Sequence, residues 1–497
     1  MNKKSLLITI LSLCQASFIF AGGILTNTNQ SAHFIRMVAR DASLQIDAAY
    51  TNPAGLVKLN DGFHFSFTNQ SAFQTRTITS TFAPFAGFGG SATKEFEGTA
   101  SAPIIPSLQA AYKTGKWVLS GNIAVTGGGG KATFDRGLPS FEAQLAVLPG
   151  TVTKLGALVG QAMPGATLTA NQYSVDAYMR GSSFIYGAQI GGSYEINDMF
   201  SAYAGFRLNI VNNKYEGHLR NIMINPTSNV PALGTGTMVS APDYFEGLAQ
   251  NPALPAQYKP TLEGLATKTS DMYLESSQSG WGISPILGFN FNYKNLNIGM
   301  KYEFKTALNV ENKTKRDDTG QFKDGVNTAH DIPALYTVGV SYQITPKLLA
   351  SVGYHHFFDS DAGMATVTNP ANTSEKIEKQ NFINGGTNEY LAGIEYQIDR
   401  MFLVSAGGQI TRYGVTDGYQ TDLSFSCNSY SIGLGGAVNV AKNVKINVGY
   451  FWTTYSDYEK NWDNYNNVIP ADQTPVPGKD IFSRTNKVFA AGVDISF

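Results

Sequence analysis

Charge is what this chain has least of. Only 15% of its 497 residues are Asp, Glu, Lys or Arg, against about a quarter in soluble globular proteins. The formal net charge is -1, which provides no electrostatic footprint for nucleic acid and argues against that partner. Cysteine is nearly absent. Cys14 and Cys427 are too few for a disulfide scaffold or a cysteine metal cluster. Past the N-terminus there is no apolar run near the ~20 residues a transmembrane helix needs.

In their place the chain carries 51 Gly, 30 Phe and 25 Tyr. Residues 1–21 have the marks of a signal peptide: a basic start at Lys3 and Lys4, an apolar stretch, and Ala21 before Gly22 and Gly23. Leu13 stands before Cys14, where a lipoprotein cleavage site wants a small residue. Cleavage after Ala21 would remove Cys14 and leave Cys427 unpaired. An exported chain of this composition is either secreted or an outer-membrane barrel.

Periodicity decides between them. In NLNIGMKYEFK, Leu296, Ile298, Met300, Tyr302 and Phe304 alternate with Asn297, Gly299, Lys301, Glu303 and Lys305, which is the period of a strand with one apolar face. The same alternation runs through 200–210, 402–410 and 444–452, and up to the terminal Phe497. A soluble β-sandwich alternates too, but the connections here are of two kinds. Tight polar turns such as YKTGKW, YEINDMF and YQIDRMF alternate with long segments rich in Gly, Asn, Thr and Pro, the wiring of a transmembrane barrel. Tyr112, Tyr194, Tyr293, Tyr342 and Tyr396 stand directly before tight turns, as a membrane girdle would. The expected fold is all-β: an antiparallel barrel of about fourteen strands over 62–497, with strands near 62–79, 103–113, 116–134 and 182–195 among them.

Three pieces fall outside the strands. Residues 22–61 are too polar to face lipid and hold apolar residues that want cover, so they are expected to fold into the barrel as a plug. In the long loop 137–181, Phe141, Leu145, Leu148, Val152, Leu155 and Val159 recur at helical spacing, with Pro149 interrupting. They either pack a helix on the rim or line an apolar groove for a greasy ligand, with loop 220–276 as the other wall.

Within DAAYTNPAGL, Asn52-Pro53-Ala54 just ahead of the first strand resembles the Asn-Pro-Ala element of the FadL-type outer-membrane transporters. So do the strand number, the long early loops and strands such as SAYAGFRLNI and FAAGVDISF. The resemblance implies carriage of long-chain fatty acids or, in a related branch, small aromatic hydrocarbons. It implies a hatch closing the barrel, and lateral exit into the bilayer at an inward kink in the third strand. Gly127, Gly128, Gly129 and Gly130 fall in the third strand here, and four glycines supply no side chains to close a wall. A slack strand end is the ordinary alternative. A phosphate loop is excluded, since no Ser or Thr follows Lys131.

For a fatty-acid carboxylate, the alternation offers the lumen-facing cations Arg207, Lys301 and Lys305, any of which could instead pair with Glu303 or Glu395. His355-His356 are adjacent on a strand and point to opposite faces, so no metal is expected, and no cofactor. The six scattered histidines come with no nucleophile motif, so an enzyme is not expected. The expected partners are a hydrophobic small molecule, outer-membrane lipid and lipopolysaccharide, around a monomer in the outer membrane of a Gram-negative bacterium. The competing readings are an aqueous porin, which the plug argues against, and an adhesin that uses its barrel as an anchor.

Overall fold

The computed structural model describes residues 24, 26–369, 372–470 and 473–497; the signal peptide expected over 1–21 lies outside the described residues. Eighteen segments hydrogen-bond into one sheet. They form fourteen barrel strands, because three strands are interrupted once each and one segment is a two-residue stub, Val239–Ser240. In chain order these are β1 (Gly62–Phe82), β2 (Thr93–Thr114), β3 (Trp117–Phe134), β4 (Tyr173–Glu195) and β5 (Phe200–Ile224). Then come β6 (Met272–Tyr293), β7 (Leu296–Glu303, resuming at Asn309–Asp317), β8 (Asn327–Ala329, then Leu335–Thr345) and β9 (Leu348–Phe357). The last five are β10 (Thr387–Gln397), β11 (Phe402–Arg412), β12 (Ser429–Ala441), β13 (Val444–Tyr455 with Tyr458–Trp462) and β14 (Gly478–Ser496). All neighbours are antiparallel, and β14 pairs with β1 along its whole length to close the barrel.

The closed sheet turns its apolar positions outward. Tyr112, Tyr194, Tyr293, Tyr342 and Tyr396 are all exposed on the wall next to the tight turns, with Trp117 and Phe402 beside them. The lumen side carries Ser, Asn, Gln and buried charge.

Strands at the long-loop end run further than alternation suggested: β2 begins at Thr93 and β4 at Tyr173. The pattern inverts there. In YSVDAYMR, Tyr173, Ala177 and Met179 are buried inward while Ser174, Asp176, Tyr178 and Arg180 face out, so an apolar-outside template misses them.

After two short helices in the N-terminal segment, α1 (Ala32–Arg36) and α2 (Ala48–Thr51), helices α3 (Pro139–Ala146) and α4 (Leu148–Ala162) break at Val147, just before Pro149. Their 24 residues include an 18-residue window of mean hydropathy 1.2, yet they pack into the long loops. Leu145, Leu148, Val152 and Val159 join Phe82, Phe85 and Tyr465 in one cluster with α5 (Ala241–Ala249) and α6 (Lys259–Lys268).

Candidate functional site

Residues from Thr26 to Leu59 thread the lumen, and everything from Ile46 to Val57 is buried. A short helix (Ala32–Arg36) is capped by Ser31, whose Oγ accepts the Phe34 N–H at 3.2 Å. A second turn (Ala48–Thr51) leads into a 3₁₀ turn from Pro53 to Lys58, where proline suits the first position because no donor is lost there.

The Asn-Pro-Ala element is bolted to the wall. Asn52 Nδ2 donates to the Ser43 carbonyl at 3.0 Å and to Asn290 Oδ1 of β6 at 2.7 Å. The Pro53 and Ala54 carbonyls each accept a wall hydroxyl at 2.7 Å, from Ser193 of β4 and Ser201 of β5. Ion pairs complete the seating. His355 bridges Asp41 of the hatch (2.8 Å) and Glu389 of β10 (2.7 Å), while Arg36 and Arg40 both meet Glu395. Buried charge is tolerable only when paired in this way.

Rows of glycine in cross-strand register admit the hatch backbone. Gly299, Gly339 and Gly353 form one row, and Gly393, Gly407 and Gly433 another. A Cβ on Gly299 would stand 2.2 Å from the Asp41 carbonyl oxygen. Sequence reading missed these rows, because their partner lies hundreds of residues away in the chain.

Two of the three cations singled out from the sequence are held against the hatch at Tyr50. Arg207 lies 2.5 Å and Lys301 2.6 Å from Glu303, and Lys301 also donates to the Tyr50 carbonyl at 2.8 Å. Both sit over the Tyr50 ring. Lys305 lies partly exposed in the break of β7, 3.5 Å from Asp331.

At the glycine run, the wall between β2 and β3 is open. The two strands pair from Gly98–Phe134 to Ala100–Ala132 and again from Leu108–Ile123 to Thr114–Trp117. Residues 101–107 and 124–131 make no ladder between them. Gly128 and Gly130 take φ of 79° and 78°, a region costly for any residue with a Cβ, and β3 bulges against β4 twice, between Val125 and Gly127 and between Gly128 and Gly130. The opposite lip holds Pro103 and Pro106. Ile105 donates its N–H to Asn69 of β1, so position 106 faces β3, where proline has no N–H to give.

The start of the hatch lies across this break. Asn27 donates its backbone N–H to the Thr126 carbonyl at 2.8 Å and its Nδ2 to the Gly128 carbonyl at 3.3 Å. On the other lip, Ser107 and Gln109 donate to the Gln30 carbonyl at 2.7 and 3.2 Å. A small cavity remains between the lips, lined by Asn27, Gln30, Ile105, Pro106, Ser107 and Val125.

Above the hatch the lumen is apolar. Phe141, Met179, Leu219, Leu274, Phe322, Phe425 and Phe482 belong to one cluster, and a small cavity opens among the first five and Met272, lined also by His218, Tyr273 and Thr319. Of the six helical-spacing residues, Phe141 lines this cavity; Leu145, Leu148, Val152 and Val159 are buried in the loop cluster above, with Leu155 half-buried against it. At the same cluster stand two buried arginines, Arg76 and Arg484, in direct register across β1 and β14. The Arg76 guanidinium lies 5.0 Å from the Phe425 ring centre. Lys379, in the long loops, is buried too: burial, then Lys460 and Arg76 nearby, pull its ammonium down to about 7.

No known protein family's sequence profile matches the chain, and no curated protein does. Solved structures do share its fold. A FadL homologue from Pseudomonas aeruginosa aligns at 13% identity and TM-score 0.63, over 96% of this chain and 100% of its own. The toluene transporter TodX of P. putida aligns at 13% identity and TM-score 0.53, over 91% and 94%. A TodX variant described as a monoaromatic hydrocarbon channel aligns at 14% and 0.57, over 95% and 100%. The chain has the FadL-type fold, a fourteen-stranded barrel with an N-terminal hatch.

Proposed function

We propose that this barrel carries hydrophobic compounds across the outer membrane of a Gram-negative bacterium, and that its ligands are long-chain fatty acids. The observation that carries the reading is the coincidence of a plugged lumen with an unpaired stretch between β2 and β3 at the end of the plug. A porin needs an open lumen and no gap; a transporter that delivers into lipid needs the reverse. Ligand is captured among the long loops, enters the apolar chamber around Phe141 and Met179, passes as the hatch at Asn52-Pro53-Ala54 shifts, and leaves at the Gly127–Gly130 kink. Bilayer is the favoured destination, since burial stabilises an alkyl chain by about 0.8 kcal/mol per CH₂. Transport runs down a gradient kept by consumption inside the cell, as a monomer and without catalysis.

The choice of a fatty acid over a neutral hydrocarbon rests on Arg76 and Arg484. Two guanidiniums beside an apolar cluster suit a carboxylate whose tail lies along that cluster. The solved neighbours named for toluene and monoaromatic hydrocarbons make a neutral aromatic ligand the second reading, favoured by the apolar side chains of Phe141, Met179, Leu219 and Phe322 around the cavity.

The test is uptake of labelled oleate and labelled toluene by a strain lacking its own fatty-acid barrel. Oleate uptake is expected to appear with this protein. Arg76→Gln should weaken it about 10-fold or more, the scale of a lost hydrogen bond to a charged group, and leave toluene entry unchanged. Toluene uptake alone would establish the second reading.

A further inference from the structure

The outer wall carries a feature that transport does not use. Following register around the barrel, Lys131 of β3 faces Ser182 of β4, Ser182 faces Lys214 of β5, Lys214 faces Ser277 of β6, and Ser277 faces Lys313 of β7. All three lysines are exposed on the outside of the wall. Lysines two strands apart are about 10 Å from one another, with a serine hydroxyl between each pair.

Charge around the row is otherwise settled. Toward the loops, Arg180 pairs with Glu216, Lys315 with Glu275, Arg316 with Asp318 and Arg220 with Asp176. Lys214 and Lys313 make no ion pair among the described residues. Glu311, two positions from Lys313 and also exposed, is the one outward-facing carboxylate on the membrane side of the row across β4–β7 among the described residues; Glu195 pairs with Lys58 and Glu303 is buried in the lumen.

Height is the second observation. Toward the tight turns the same wall becomes apolar, and its upper edge is the register row Tyr186, Ile210 and Trp281, exposed by 48%, 47% and 68%. The lysine row stands four positions further along β6, from Trp281 to Ser277, which is about 13 Å of strand and ~10 Å along the axis of a tilted barrel. An aromatic edge marks the boundary of the hydrocarbon, so the lysines lie at the depth of the outer-leaflet headgroups.

We infer that Lys131, Lys214 and Lys313, with Ser182 and Ser277, form a binding site for the phosphorylated saccharide headgroup of lipopolysaccharide. The inference rests on the outer-membrane reading above. Two phosphates on a rigid sugar head match point cations spaced along a rigid sheet, and ammonium groups are suited to phosphate. The Ser182 hydroxyl can donate to the sugar and phosphate oxygens, while that of Ser277 donates to the Lys313 carbonyl at 3.2 Å and can accept from the sugar.

The test uses the purified full-length barrel and native mass spectrometry, with bisphosphorylated lipid A, lipid A stripped of both phosphates, and phosphatidylglycerol as probes. Wild type should retain the bisphosphorylated form at least 10-fold better than the stripped form. K131Q/K214Q/K313Q should lose that preference, while Lys487→Gln on β14, outside the row, keeps it. Equal retention by the triple variant, or equal retention of phosphatidylglycerol, would overturn the site. If the triple variant does not reach the folded band in heat-modifiable gels, Lys214→Gln alone is measured against the same two outcomes. Retention in vitro is independent of uptake; a folded barrel that binds lipid A yet fails to import leaves this site standing and removes the transport reading.

Discussion

At the scale of residues, the hatch is held by what the wall lacks. Gly299 and its row give the Asp41 backbone a place that any Cβ would fill. Gly299→Val should cost about 1–3 kcal/mol as overpacking and lift the hatch, turning a silent barrel into one with steady conductance in a planar bilayer. A variant that stays silent with unchanged melting would show that the hatch does not depend on this close approach. The residue scale is also where the sequence was least legible. Arg207 and Lys301 could be assigned to the lumen from alternation, but their fixation by Glu303 and Tyr50 depends on a hatch segment far away in the chain. Arg76 and Arg484 escaped notice because their opposition exists only once β14 closes on β1.

At the scale of elements, the break between β2 and β3 has two authors. The glycines of β3 were readable as a place where a ladder fails. The prolines of β2 were equally present in APIIPSLQ, and a missing donor facing the neighbour is the signal that would have located the second lip. Pro106→Val restores an N–H aimed at β3. It should extend the ladder into the gap, leave ligand capture unchanged and slow oleate uptake several-fold; undiminished uptake in a folded P106V barrel would mean that this lip does not set the exit. The long-loop ends of the strands were legible only in part, since above the apolar belt the inward face becomes apolar and the outward face polar, as in Tyr173–Arg180. Helices α3 and α4 were legible from spacing, but not the cluster they pack into, which gathers residues from the β1–β2 loop and from Tyr465.

At the scale of the whole molecule, the barrel was the most legible thing in the chain. Closure removes every sheet edge, and a wall between lipid and a polar lumen enforces period two strand after strand. Where the lumen goes from polar to apolar, and where the wall opens, the rule fails, and those failures coincide with the proposed ligand path. The central claim is that this path leaves sideways, between β2 and β3. Replacing Ser107 and Ala124, which line opposite lips of the gap, with cysteine allows a short cleavable thiol cross-linker to bridge it; Cys427 is buried and out of reach. The measurement is oleate uptake by cells carrying the bridged barrel, before and after reductive cleavage of the linker. Loss of uptake on bridging and its return on cleavage is the predicted result, and uptake that continues through a fully bridged barrel would contradict lateral exit.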